Sequence, residues 1–303
     1  MTTIGLFDSL LMRADPTGVA APVALTCDPA SLPSDDTNLV VRMVKAWAAV
    51  RGAAAQVVPG IVARLQKRTP AGAGLGGGSS DAACALKAAE ALVAGTNGNS
   101  HENVAPGINS EIGGINPTPL RPLSHETLVA LAASVGSDVP FFLHTPSAVC
   151  TGRGEVVRPI PPPETKWAVL VLPPIHLSTP DVYRQFDAMK LGRTEGVEQQ
   201  PDWAAWSKLP AAKLMEELVN DLEAPAFALR PDLNEIRIRA GRKANRVFRM
   251  SGSGSSLFTL FGDERIATEV ADYLQIHLRE FGIEEQMVKV VAVGVNPRMK
   301  AEG

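Results

Sequence analysis

This 303-residue chain has few cysteines, few charges and no long apolar run. Cys27, Cys84 and Cys150 are its three cysteines, scattered and odd in number. They lack metal-ligand spacing and read as small buried hydrophobes in a reducing compartment. A net charge of −3, with no Lys/Arg stripe interleaved with aromatics, argues against a nucleic-acid surface. No stretch approaches the roughly 20 apolar residues of a membrane span. The opening Met1–Asp8 also lacks the charged-then-apolar layout of a secretory signal. A soluble, cytoplasmic chain, monomeric or weakly dimeric, is expected. The five histidines, His101, His125, His144, His176 and His277, form no visible cluster, and there is no internal repeat. What the chain does have is a 45% hydrophobic composition, enough for a substantial core in one large or two ordinary domains.

The most informative segment is Lys67-Arg68-Thr69-Pro70-Ala71-Gly72-Ala73-Gly74-Leu75-Gly76-Gly77-Gly78-Ser79-Ser80-Asp81. Five glycines in the seven positions 72–78 would weaken any helix or strand, because glycine loses the most backbone freedom on folding. They suit a loop whose bare N–H groups close around an anion. The following Asp81–Leu92 is alanine-rich and helix-forming, with Ser79 or Ser80 expected as N-cap. A glycine loop feeding a helix N-terminus combines unpaired donors with the positive end of the helix dipole, so phosphate is the expected ligand.

Around this loop the pattern predicts strands at Ile4–Leu11, Val23–Thr26 and Gln56–Leu65, and a helix opening at Thr37–Trp47. Gly95–Pro122 is rich in Gly, Asn and Pro without periodicity and reads as a surface insertion. A helix capped by Ser124 should stop near Gly136, a second should start around Asp138, and Ser147–Arg153 should return as a strand. Pro159–Pro163 marks a composition break, dividing the chain into 1–163 and 164–303. Beyond it come a strand at Trp167–Leu172, a helix from Thr179-Pro180, and helices from Ala211 to about Ala240. Strands follow at Arg246–Met250 and Leu257–Phe261, then a helix capped by Asp263 and a last strand at Val288–Val295. That order is the split βαβ pattern of a ferredoxin-like domain.

Gly72-x-Gly74-x-x-Gly77 formally matches a dinucleotide fingerprint, but the region about 20 residues on offers no acidic strand end. A P-loop would end in Gly-Lys-Ser/Thr, where this chain has Gly78-Ser79-Ser80. A flexible linker would not sit between an apolar strand and an alanine-rich helix. Pro70–Ala83 instead resembles the central motif of the GHMP small-molecule kinases. Asp36–Val40, Gly136–Phe142, Gly152–Glu155, Thr179–Tyr183, Asn220–Glu223 and Met250–Phe258 agree with the family in the same order, from about Ile4 to Asn296. The wording is closest to the branch acting on 4-diphosphocytidyl-2-C-methyl-D-erythritol. Only Gly95–Pro122 has no counterpart.

The resemblance implies an α+β fold with a ribosomal-protein-S5-like N-terminal domain and a ferredoxin-like C-terminal domain. It implies transfer of the ATP γ-phosphoryl group to the 2-hydroxyl of that small molecule, in the non-mevalonate route to isoprenoids. Pro70, Ala71, Gly72, Ala73, Gly74, Leu75, Gly76, Gly77, Gly78, Ser79 and Ser80 would wrap the triphosphate, with a Ser79 or Ser80 hydroxyl helping to hold Mg²⁺. Asn38 and Lys67 match positions near the adenosine. Asp138 would accept the hydroxyl proton, while Thr179, Tyr183, Gly252 and Ser253 would line the substrate side. Each has a plainer reading: Asp138 as cap of the next helix, Asn38 as a helix cap, Lys67 as a solvated strand end, Ser251–Ser256 as a hairpin turn. Arg153, between two glycines, reads as structural.

One departure stands out. The family's opening strand carries Ala-Lys-x-Asn, followed shortly by Gly-Tyr-His, and this chain has neither; Met1–Asp8 resembles the strand after them. The expectation is a natural protein roughly 30 residues longer in front, because a decayed enzyme would not keep Asp138 and both glycine motifs. Without that lysine the chain as written would lose charge stabilisation worth orders of magnitude in rate, and an absent first strand would leave a sheet edge exposed. Homoserine-type or mevalonate-type kinases, a nucleotide-binding protein without catalysis, and a Rossmann oxidoreductase remain as alternatives.

Overall fold

The structure, a computed structural model, describes residues 1–15, 22–54, 58–94, 120–144, 146–192 and 200–295. Most of the Gly95–Pro122 segment therefore lies outside the described residues. Among them, no helix is long and apolar enough to cross a membrane.

The N-terminal half packs helices on one small sheet. Strands β1 (Ser9–Ala14) and β2 (Val23–Asp28) flank β3 (Ile61–Gln66), antiparallel and parallel to it respectively. Helix α1 (Leu39–Ala53) starts where the Asn38 side chain accepts from Val40 N. It packs with α2 (Gly77–Val93) and α3 (His125–Val135, capped by Ser124) around Val40, Met43, Val44 and Trp47. Ala82, Ala85, Leu86 and Ala89 of α2 and Ile61, Ala63 and Leu65 of β3 complete this core. Small residues on α2 let the helices approach closely, and each fully buried Val or Leu contributes about 1.5–3 kcal/mol. Glu90 on α2 fastens the group. It accepts from Trp47 Nε1 at 2.6 Å, from Arg51 Nη2 at 2.6 and 2.7 Å, and from Leu123 N at 2.8 Å.

After a 3₁₀ turn at Pro140–Leu143 the chain forms a hairpin, β4 (Ala148–Thr151) and β5 (Val156–Pro159). The Pro159–Pro163 break falls between β5 and β6 (Trp167–Val171). Helices α4 (Thr179–Ala188), α5 (Trp203–Ser207), α6 (Ala211–Glu217), α7 (Glu223–Leu229) and α8 (Pro231–Ala244) follow. They lead into β7 (Arg249–Met250), β8 (Leu257–Phe261), α9 (Glu264–His277) and β9 (Val288–Ala292). The four strands form an antiparallel sheet in the order β7-β8-β6-β9, the ferredoxin-like arrangement.

Both faces of this sheet are covered, which is why β6 is apolar throughout. Val169 and Val171 join Leu233 and Ile236 of α8 and Ala267, Ala271 and Leu274 of α9. Ala168 and Leu170 point the other way, toward Leu214 and Met215 of α6. Strand alternation alone produces this split. Ile4, Leu6 and the loop residue Leu75 also pack against that second layer.

Three expectations need correction. The first strand begins at Ser9, not Ile4, because residues 3–5 bond to two different partners, Thr3 N to Pro146 O and Gly5 N to Ala292 O. The strand expected over Arg246–Met250 shortens to two residues, beginning after Asn245 ends α8 in a left-handed conformation at φ 50°. The helix expected around Asp138 is only the 3₁₀ turn. Its cap is Val139, so Asp138 caps nothing there.

Candidate active site

The glycine loop bridges β3 and α2. Gly72, Gly74 and Gly76 have φ of 67°, 73° and 67°, and Gly76 itself is the N-cap of α2. The expected serine cap is therefore wrong. The helix starts as soon as the last left-handed glycine allows, which places Ser79 and Ser80 inside its first turns. Ser80 N donates to Gly76 O at 2.9 Å, while the amides of Gly77, Gly78 and Ser79 precede any intrahelical acceptor. The first turn holds no acidic residue. This helix end carries donors and positive dipole, and the one carboxylate just inside the helix, Asp81, is paired with Lys67, which suits an anion.

A second glycine segment, Ser251–Ser256, interlocks with the first. Ser251 Oγ donates to Gly74 O at 2.9 Å and Ser256 N to Ala73 O at 3.1 Å. A Cβ on Gly74 would lie 2.9 Å from Gly254 O and nearer still to Ser251 O. One on Gly252 would lie 3.1 Å from Gly74 O. Two backbones thus meet where only glycine fits. Thr179, at the start of α4, reaches this segment through a 2.7 Å hydroxyl contact with Ser253. Tyr183, one turn farther along α4, is exposed.

Asp138 stands beside the turn of the β4–β5 hairpin. Its carboxylate accepts no protein hydrogen bond among the described residues, and the hairpin turn crosses beside it: a Cβ on Gly154 would lie 3.4 Å from Asp138 Oδ1. The surrounding protein desolvates the Asp138 carboxyl and raises its pKa above the ordinary value, opposed by the Met1 ammonium. Four residues on, the Phe142 ring rests against Gly76, within 3.2 Å of where a Cβ would stand. Lys87 Nζ donates to Phe142 O at 2.9 Å. The segment bearing Asp138 is thus fastened to both the loop and α2.

The family description "GHMP kinases N terminal domain" matches residues 38–120, and "GHMP kinases C terminal" matches residues 208–280. The 4-diphosphocytidyl-2-C-methyl-D-erythritol kinase of Cereibacter sphaeroides is 32% identical over 283 residues, covering 89% of this chain and 86% of its own length. The chain belongs to the GHMP kinase family. The enzyme of the same name from Protochlamydia amoebophila is 33% identical over 236 residues, 78% of this chain and 67% of its own. A crystal structure of 4-(cytidine 5'-diphospho)-2C-methyl-D-erythritol kinase superposes with a TM-score of 0.63 at 29% identity, covering 96% of this chain and 88% of that one.

In this GHMP kinase the side chains of Asn38 and Lys67 are already committed. Asn38 Oδ1 caps α1 and its Nδ2 donates to Pro33 O at 2.8 Å. The Lys67 side chain is only 9% exposed, and its Nζ lies 2.5 Å from Asp8 Oδ2 and 2.8 Å from Asp81 Oδ2. Burial works to lower the Lys67 pKa, and the two carboxylates outweigh it, so the ammonium is held above its usual range. Burial pushes Asp81 up to about 7, against the pull of Lys67.

Sequence reasoning gave no role to Asp8, Asp81, Asn220 or Glu223. Asn220 Nδ2 donates to Met250 O and Gly252 O, both at 2.9 Å, and Glu223 Oε1 accepts from Met250 N at 2.8 Å. This pair holds the second glycine segment from behind. The Asn220–Glu223 motif was visible as a resemblance, but only the fold shows what it grips.

Proposed function

We propose that the chain is an ATP-dependent kinase that phosphorylates the 2-hydroxyl of 4-diphosphocytidyl-2-C-methyl-D-erythritol, a step toward isoprenoid precursors. The observation that carries this is the glycine loop, locked to Ser251–Ser256 and opening onto a helix with no acid in its first turn, in a chain whose curated relatives of that name match most of its length. In this reading 1–163 form the nucleotide-binding unit and 164–303 complete the substrate side. Pro70–Ser80 receive the triphosphate, Asn38 and Lys67 stand at the adenosine end, and Thr179, Tyr183, Gly252 and Ser253 face the alcohol.

Phosphoryl transfer is mostly positioning and charge stabilisation. The bond from the 2-oxygen to the γ-phosphorus forms as the bond to the β-phosphate oxygen breaks, and ADP leaves. Asp138 is suited to take the hydroxyl proton: among the described residues its carboxylate accepts no protein hydrogen bond, and desolvation favours its accepting a proton. No cluster of three or more His, Cys, Asp or Glu among the described residues could hold a metal by itself. Mg²⁺ brought in with the nucleotide would be held by a Ser79 or Ser80 hydroxyl at the start of α2. Mg²⁺ would neutralise charge on the transferring group.

The test is a substrate panel with ATP and Mg²⁺, read by ADP release and phosphorus NMR of the product. A new phosphomonoester on the cytidyl compound is expected. Turnover of homoserine or mevalonate in its place would overturn the assignment, and calorimetric binding of ATP without any transfer, even with the family's Ala-Lys-x-Asn segment restored in front, would overturn the catalytic role.

A further inference from the structure

We propose that Asp8 is a positioning residue for the nucleotide: its carboxylate fastens the entrance of the glycine loop to the helix at its exit. The inference rests on the nucleotide reading of that loop. Asp8 lies just before β1, 59 residues from Lys67 in sequence, and its two oxygens are divided. Oδ1 accepts from Arg68 N at 2.5 Å and from Thr69 N at 2.8 Å. Oδ2 takes the Lys67 ammonium at 2.5 Å.

Lys67 carries the connection across the loop. Its Nζ bonds Asp81 on α2 at 2.8 Å and would sit 3.0 Å from a Cβ on Gly77, the first residue of that helix. Thr69 Cγ2 would sit 2.9 Å from the same Cβ. One carboxylate therefore grips residues 67–69, and the ammonium it holds grips residue 81, with the loop strung between. The Asp8, Lys67 and Asp81 side chains are 5%, 9% and 7% exposed, so water does not substitute readily for any of these bonds. A loop held at both ends presents its amides already ordered, and ordering it on binding would cost affinity.

The experiment compares Asp8→Ala with Asp8→Asn in the full chain. Calorimetry with a non-hydrolysable ATP analogue is the first readout and thermal unfolding the second. Asparagine keeps an oxygen for the two amides and withdraws the charge from Lys67; alanine removes both. Asp8→Ala should weaken the analogue by about tenfold and Asp8→Asn by less than about threefold, as expected when only the alanine frees the loop entrance. Melting temperature should fall in both. In steady-state kinetics the Asp8→Ala loss should appear in KM for ATP, with KM for the alcohol substrate nearly unmoved. If both variants melt earlier yet bind the analogue like the parent, Asp8 is a structural clasp and the inference fails. Should Asp8→Ala not fold, the pair Lys67→Met/Asp8→Asn and Lys67→Met/Asp8→Ala differs in the amide acceptor with no ammonium left to satisfy. Equal affinities in that pair overturn the inference. A parent chain that does not bind the analogue at all would overturn the nucleotide reading itself, and this inference with it.

Discussion

Gly74→Ala should be the most damaging conservative change in the loop. Its φ of 73° is a region where an L side chain costs roughly 1–2 kcal/mol. The new methyl would also stand 2.9 and 3.0 Å from Gly254 O and N, and closer to Ser251 O. All three are backbone atoms, so no rotamer change relieves the contact. The escape is for the two glycine segments to part, which removes the Ser251 Oγ to Gly74 O and Ser256 N to Ala73 O hydrogen bonds. At about 1 kcal/mol net each, these bring the total to about 3–4 kcal/mol. For a chain of 303 residues that lowers Tm by about 5–6 °C, and transfer should be lost together with it.

The control is Gly78→Ala. Its Cβ would meet only Leu39 Cδ1, at an ordinary 3.5 Å, and the residue is helical. Alanine in place of a helical glycine gains up to about 1 kcal/mol, so this variant should melt at or above the parent temperature. Scanning calorimetry of the two proteins beside the parent decides the matter. A Gly74→Ala protein within about 1 °C of the parent would refute the backbone interlock, since a contact worth 3–4 kcal/mol cannot vanish from Tm.

Asp138→Asn should lower kcat by about 10²–10⁴-fold, as expected for removal of a general base, with affinity for an ATP analogue retained; rapid-quench assays and calorimetry check the two halves. Desolvation of Asp138 should move the acid limb of the rate profile up from the ordinary aspartate value. Because the ionised form takes the proton, rate should fall as pH drops through that raised value, and an acid limb at or below about 4 would contradict the assignment. Asn220→Ala orphans the Met250 and Gly252 carbonyls it now serves; a loss of about 1–3 kcal/mol in urea unfolding is expected.

The loop and the ferredoxin-like order were legible because local chemistry dictates both. Five glycines in seven positions permit little but a loop, and alternating or continuous apolar runs betray strands whatever surrounds them. Ser124 and Asp263 were readable as caps for the same reason, each bonding an amide three residues on. Ser79 and Ser80 misled because capping preference competes with backbone conformation: once Gly76 turns left-handed, the helix starts there without waiting for a side chain. Asp138 misled in the opposite sense. Its segment is a 3₁₀ turn that begins one residue later, which leaves the carboxylate without a capping bond. Asp8 was invisible for a different reason. Its meaning depends on Lys67 and on two amides about 60 residues away, partners that only the antiparallel pairing of β1 with β3 brings alongside. Short-range rules thus reveal the glycine loop and its helix start, whereas the grip that holds the loop in shape is a product of sheet register.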